Sequence, residues 1–273
     1  MAKLTKEQAT QHAKAARLVA LTRDLTEEEK EFVLHNWQED GTTRALDGAF
    51  FTPADMAQTF SIEVAGDRII DLCAGIGRLS WGCRDRLRSW NGQPPREFVC
   101  VEKNPAYVEV GRKILPEATW ICADVLDVPN MDLGRFDTAI ANPPFGRIAR
   151  TGNAPRYTGA EFEYHVIDVA ATLARRGTFI VPQMSAPFRY SGQPYYTEQR
   201  TAALDRFERQ TGIQLEANCG IDTTTWDDEW RDAAPRTEIV TAEFEELRQP
   251  AATPAPTTRR TAPTPTATSD ALF

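Results

Sequence analysis

Residues Arg68 to Ser80 constrain this chain more than any other stretch. Arg68-Ile69-Ile70-Asp71-Leu72-Cys73-Ala74-Gly75-Ile76-Gly77-Arg78-Leu79-Ser80 reads as strand, glycine turn and helix. A glycine turn between strand and helix brings backbone N–H groups and a helix N-terminus close to a ligand. Gly75 and Gly77 allow that close approach, and Asp71 stands at the strand end. Alone, a Gly-x-Gly is a weak signal, because many tight turns contain one.

Its weight comes from the strands that follow. Glu97-Phe98-Val99-Cys100-Val101 is a second strand ending at Glu102, an acid that can accept hydrogen bonds from both hydroxyls of a ribose. A third strand, Thr119 to Cys122, ends at Ala123-Asp124, and a fourth, Thr138 to Ala141, ends at Asn142. Acids or amides therefore stand at successive strand ends, with helix or loop between. Open α/β sheets bind their ligands at these carboxyl ends.

The last strand end carries its own chemistry. In Asn142-Pro143-Pro144-Phe145-Gly146, Pro144 pushes Pro143 towards an extended conformation. Neither proline has an N–H, so the backbone offers mainly carbonyl acceptors, to which Asn142 adds a side-chain carbonyl. Phe145 adds a flat apolar face, and Gly146 admits a close neighbour. A rigid acceptor cluster beside a ring suits an –NH2 group on a planar, delocalised system such as a nucleobase or an amide. Taken alone, the tetrapeptide reads equally well as an ordinary Pro-Pro turn.

Together these stretches resemble the class I S-adenosylmethionine-dependent methyltransferases. Within that group they are most similar to amino-methyltransferases with an Asn/Asp-Pro-Pro-aromatic motif. Asp71-Leu72-Cys73-Ala74-Gly75-Ile76-Gly77 matches the first cofactor motif, Glu102 the ribose-binding acid and Asp124 the acid that meets the adenine. Asn142-Pro143-Pro144-Phe145 matches the catalytic motif. Upstream, Phe50-Phe51-Thr52-Pro53 resembles the Phe-x-Thr-Pro motif that precedes the glycine motif in gamma-type adenine-N6 DNA methyltransferases, and the order of motifs is the same. RNA guanine-N2 and protein glutamine-N5 methyltransferases share Asn-Pro-Pro-aromatic but have the Thr-Pro element less typically. From the residues alone, Thr52 reads as an N-cap and Pro53 as a first helical residue.

The resemblance implies an α/β, Rossmann-like methyltransferase fold. Its sheet would have seven strands, mostly parallel, with an antiparallel last strand. S-adenosylmethionine is the implied cofactor, held by Thr52, Asp71, Cys73, Ala74, Gly75, Gly77, Glu102, Asp124, Val125 and Asn142. Asn142, Pro143, Pro144 and Phe145 are the implied catalytic set, and the N6 amine of a flipped DNA adenine the implied substrate. RNA bases and protein glutamine are the alternatives within this chemistry. A scaffold that binds nucleic acid or a partner without catalysis is the alternative outside it. No protein partner is legible.

Composition sets the remaining bounds. The chain has 273 residues, enough for one large α/β domain with extensions, but no room for a large separate target-recognition domain. Residues 1–46 read as a helical N-terminal extension, 47–247 as the methyltransferase domain and 248–273 as a disordered Pro/Thr/Ala-rich tail. In the extension, a basic helix runs over 3–23, best read as a solvated face, and a Thr26-Glu29 capping box begins a second helix. No run reaches the apolar length of a membrane span, and the N-terminus lacks a signal-peptide core. The five cysteines, without a C-x-x-C pair, read as reduced core thiols in a cytoplasmic protein. Three scattered histidines predict no metal site.

A net charge of −8 is unlike the usual basic nucleic-acid footprint, but the charge is uneven. Arg147, Arg150 and Arg156 fall in a Gly/Pro-rich stretch after Gly146 that reads as a mobile loop able to grip phosphates or close over a base. Arg189, Tyr195 and Tyr196 fall in a second, acid-free loop, where they suit either base stacking or packing of the loop itself.

Overall fold

The computed structural model of the chain describes residues 5–38, 51–84, 88, 91–230 and 236–245. The proline-rich tail expected over 248–273 lies outside them, as do Lys3 and Phe50.

The five parallel strands are β1 (Arg68–Leu72), β2 (Glu97–Glu102), β3 (Thr119–Cys122), β4 (Phe136–Ala141) and β5 (Ala174–Pro182). A short hairpin follows, β6 (Phe188–Arg189) with β7 (Thr197–Glu198), where a plain loop was expected. β8 (Glu216–Ala217) and β9 (Thr237–Glu243) complete the main sheet, in the order β3-β2-β1-β4-β5-β9-β8. β9 runs antiparallel to both β5 and β8. This is the mostly parallel, seven-stranded sheet with an antiparallel last strand that the motifs imply.

The strands are apolar along their length because both sheet faces are covered. Successive side chains point to opposite faces. Ile69, Phe98 and Cys100 enter one core layer, and Ile70, Val99 and Val101 enter the other. The first layer also takes residues from helices α1 (Lys6–Val19), α2 (Glu27–Asn36), α3 (Ala54–Phe60) and α5 (Pro105–Ile114). The second is filled by α6 (Phe162–Leu173) and by Leu204 and Phe207 of α7 (Ala202–Thr211).

Local chemistry sets the helix ends. Thr5 and Thr26 each form a capping box, with Gln8 and Glu29 as the reciprocal partners. Val33 and Leu34 of α2 are buried in the sheet's own core layer, and Lys113 Nζ donates to Leu21 O at 2.6 Å. The N-terminal helices are thus packed against the main sheet. Thr201 caps α7, its side chain accepting from Leu204 N–H, and Thr197 and Glu198 just before it belong to β7.

Strand order reverses between β1 and β4. Both strands end side by side, with Asp71 opposite Ile140 in the register. The turn after β1 and Asn142 after β4 therefore share the crevice where such sheets bind ligands.

A candidate cofactor and substrate site at the strand ends

The turn after β1 needs left-handed backbone at three positions. Gly75 has φ +57 and Gly77 φ +87, and a Cβ on Gly75 would sit 3.0 Å from the Phe51 ring. Cys73 adopts φ +64, a strained conformation for a residue with a side chain. The short helix α4 (Arg78–Gly82) begins at Gly77.

Two carboxylates brace this turn from different sides. Glu102 Oε2 accepts from Gly75 N–H at 2.8 Å, and Oε1 accepts from Asn104 N–H at 2.7 Å. A carboxylate has about four lone-pair sites, so both oxygens retain acceptor capacity for hydroxyls. Asp71 lies beneath the turn, fully buried, and its Oδ2 accepts from Ser80 Oγ at 2.6 Å. Burial pushes the Asp71 carboxyl up to about 7, and the charge of Glu102 adds to the effect. Asp71 faces the core layer below the turn, one residue short of the strand end.

Above the turn is a cavity of about 490 Å³, within the size range of ligand pockets. Cys73, Gly75, Glu102, Asp124, Val125, Asn142 and Pro144 line it, as do Lys103 and Asn104. Asp124 Oδ1 accepts from Leu126 N–H at 3.0 Å, which fixes its carboxylate, and Oδ2 pairs with Lys103 at 3.0 Å. Phe51, Tyr107, Ile148, Ala149 and Phe162 supply an apolar wall. The lining fits S-adenosylmethionine: acids for the ribose and adenine edges, an apolar slot for a flat ring, and a turn without a Cβ at Gly75. Gly77 does not line the cavity, and a Cβ there would meet Leu115 and Trp120 in the core.

Sequence reasoning missed that wall. Phe51 and Tyr107 meet edge to face at 5.3 Å, and Trp37 of the N-terminal extension touches both. Lys103 and Asn104 follow Glu102 directly, and Phe162 donates its N–H to Gly146 O at 2.8 Å. Proximity to Glu102 could have flagged the first two. Nothing local flags Tyr107 or Phe162.

Asn142 lies across the cavity from Glu102's strand end. Its Nδ2 donates to Thr52 Oγ1 at 2.9 Å. Thr52 is buried and does not cap α3 as expected; Pro53 takes the cap position, and the threonine hydroxyl meets Asn142 instead. Pro143 is buried, and Phe145 packs partly against the core layer that includes Phe51. Gly146 closes the turn at φ +74.

The arginine loop is bonded to α6 and α7. Arg156 pairs with the buried Asp168 at 2.7 Å and donates to Thr211 O. Arg150 donates to Gly159 O at 2.7 Å, and Tyr157 is fully buried. His165 Nδ1 accepts from Ala154 N–H and Nε2 donates to Gly159 O, both at 3.0 Å, so the ring is neutral. Arg147 is exposed and precedes the lining residues Ile148 and Ala149 in the chain, and its charge acts on Glu161. In the hairpin, Arg189 donates to Gln199, Tyr196 stacks on Phe188 at 5.4 Å, and Tyr195 is 78% exposed. The hairpin thus combines internal packing with two exposed rings, Tyr195 and the half-exposed Tyr196. Of the cysteines, Cys83 and Cys100 are buried, whereas Cys122 and Cys219 are exposed and not core thiols. Their places at the end of β3 and after β8 explain this. No helix among the described residues is long and apolar enough to cross a membrane.

Comparison with known proteins locates this fold. No protein-family profile and no curated protein matches the sequence. Among solved structures, the chain is similar to the type I restriction-modification methyltransferase subunit from Streptococcus thermophilus: TM-score 0.52, 16% identity, 80% of this chain and 48% of that one. It is similar to the M protein of the type I restriction enzyme EcoKI, with TM-score 0.50, 13% identity and 88% against 54% coverage. A Listeria monocytogenes protein assigned to the class I S-adenosylmethionine-dependent methyltransferases gives TM-score 0.50, 12% identity and 88% against 81% coverage. The fold is that of the class I S-adenosylmethionine-dependent methyltransferases. The chain spans about half the length of the two restriction-modification subunits (48% and 54%).

Proposed function

We propose that the chain transfers a methyl group from S-adenosylmethionine to the N6 amine of adenine in DNA. The observation that carries this reading is the bond from Asn142 Nδ2 to Thr52 Oγ1. It ties the Asn-Pro-Pro-Phe turn to the Thr-Pro element, the pairing that the gamma-type resemblance singles out. It also anchors the amide, and with Nδ2 on the hydroxyl the carbonyl is left as the acceptor for a substrate amine.

The chemistry follows from what the residues hold. An exocyclic amine delocalises its lone pair into the ring and is a poor nucleophile. Hydrogen bonds from its two N–H groups to Asn142 Oδ1 and the Pro143 carbonyl pull that pair out of the ring and aim it across the cavity. The bound cofactor supplies an electrophilic methyl on a sulfonium. With the cofactor held by residues such as Glu102 and Asp124, the amine nitrogen would displace its methyl from sulfur, leaving a thioether, and the amine would then give its extra proton to solvent. Positioning supplies most of the rate, so no strong base is needed. Phe145 offers a face for the extruded base, offsetting part of a flipping cost of a few kcal/mol.

Glu102 and Asp124 are assigned to the ribose hydroxyls and the adenine amine of the cofactor, and Gly75 to its amino-acid end. Asp71 acts one layer down, through Ser80 and the turn. The test is methyl transfer from labelled S-adenosylmethionine to DNA, RNA and protein in parallel. Label recovered as N6-methyladenine from DNA supports the reading. Label confined to RNA or protein overturns the substrate, and cofactor binding without transfer to any of the three overturns the activity.

A further inference from the structure

Glu163 is a buried carboxylate whose place the core does not explain. It stands in the first turn of α6, 1% exposed, among apolar residues of one core layer. Burial pushes its carboxyl up from the ordinary range, so the position carries a desolvation cost that Leu or Met would not. What the carboxylate does is join two loops. Its Oε2 accepts from Gly146 N–H at 2.8 Å, and its Oε1 accepts from Ser185 Oγ at 2.6 Å. Gly146 is the residue directly after the Asn142–Phe145 turn, and Ser185 follows β5. Gly146 is held on its other side too, because its carbonyl accepts from Phe162 N–H at 2.8 Å. Ser185 is fixed in turn by Tyr164, whose hydroxyl donates to Ser185 O at 2.8 Å.

We infer that Glu163 is a positioning residue that clamps the far end of the Asn-Pro-Pro-Phe turn, as Thr52 clamps the near end. Held at Asn142 and at Gly146, the turn has little freedom to shift its acceptors relative to the cavity. A misplacement of about 1 Å in such a group costs on the order of a hundredfold in rate. This role rests on the methyl-transfer reading above, but the clamp itself can be tested without it.

The test uses full-length Glu163→Leu and Glu163→Gln beside the wild type. Gln keeps a carbonyl for Gly146 N–H and can donate its –NH2 to Ser185 Oγ. The first arm is hydrogen exchange over residues 142–147. Glu163→Leu should speed exchange there by about tenfold or more, and Glu163→Gln should stay close to wild type. The second arm is single-turnover transfer to DNA and cofactor affinity by calorimetry. Glu163→Leu should lower the transfer rate by about ten- to a hundredfold while cofactor affinity changes less than about twofold, and Gln should restore most of the rate. Unchanged exchange in Glu163→Leu overturns the clamp. Exchange that changes with no change in rate overturns the positioning role, as does a loss of rate with an equal loss of cofactor affinity. A wild type that transfers nothing to DNA overturns the proposed function, and the exchange arm still decides the clamp.

Discussion

Asn142 donates from Nδ2 to the Thr52 hydroxyl at 2.9 Å, across 90 residues of sequence. The bond anchors one end of the amide and leaves the other towards the cavity that Asn142 lines. It also makes the Thr-Pro segment part of the support of the Asn142–Phe145 turn.

Thr52→Val keeps the side-chain shape and removes the acceptor. The loss of one buried hydrogen bond should cost about 1–3 kcal/mol of stability. Methyl transfer should fall by about tenfold or more, because the amide can then turn over. Thermal denaturation and single-turnover kinetics measure the two effects. A variant with wild-type rate would detach Thr52 from the chemistry.

Glu102 holds Gly75 N–H and Asn104 N–H as well as facing the cavity. Glu102→Ala should therefore weaken S-adenosylmethionine binding by about 1–3 kcal/mol and lower the melting temperature of the free protein together. Titration and scanning calorimetry on the same preparation check this. Lost affinity with an unchanged melting temperature would mean that the bracing bonds contribute nothing.

The arginines should separate by role. Arg147→Ala should flatten the salt dependence of DNA binding by about one unit and leave stability alone. Arg156→Ala should destabilise the fold by about 1–3 kcal/mol, because Asp168 is fully buried and loses its ion-pair partner. Binding measured over a salt series, with denaturant unfolding of both variants, distinguishes them. An equal change of salt slope in both would contradict the assignment.

Much of this was legible from local signals. Strand ends at Glu102, Cys122 and Ala141 follow from apolar runs stopping at polar residues, and the Thr26 capping box can be read directly, whereas the helix expected over 3–23 is capped at Thr5 and spans Lys6–Val19. What was not legible depends on partners distant in the chain. Arg156 shows only a charge, and Asp168 appears beside it once α6 folds back. Asp71 looks like a strand-end ligand, yet the two-residue alternation of β1 turns it inward towards Ser80 and Cys100. Thr52 has the identity of a helix cap, and the nearby Asn142 amide claims its hydroxyl instead.

Asp71 also predicts a pH effect. Its carboxyl is raised to about 7 in the fold, above the ordinary value of about 4 in the unfolded chain. Between those values the folded state holds more protons, so stability from this group falls as pH rises through the window. Asp71→Asn, neutral throughout, should have a melting temperature near wild type at about pH 4 and increasingly above it towards pH 8. A difference that does not change with pH would contradict the protonation of Asp71 in the fold.

The central claim is that Asn142 orders the substrate amine in the transition state. Single-turnover methyl transfer by Asn142→Ala, at saturating S-adenosylmethionine and on a DNA substrate that the wild type methylates, tests it most directly. The account predicts a rate lower by about two to three powers of ten, with cofactor affinity nearly unchanged. Transfer at the wild-type rate would contradict it and leave Asn142-Pro143-Pro144-Phe145 as a turn without a catalytic role.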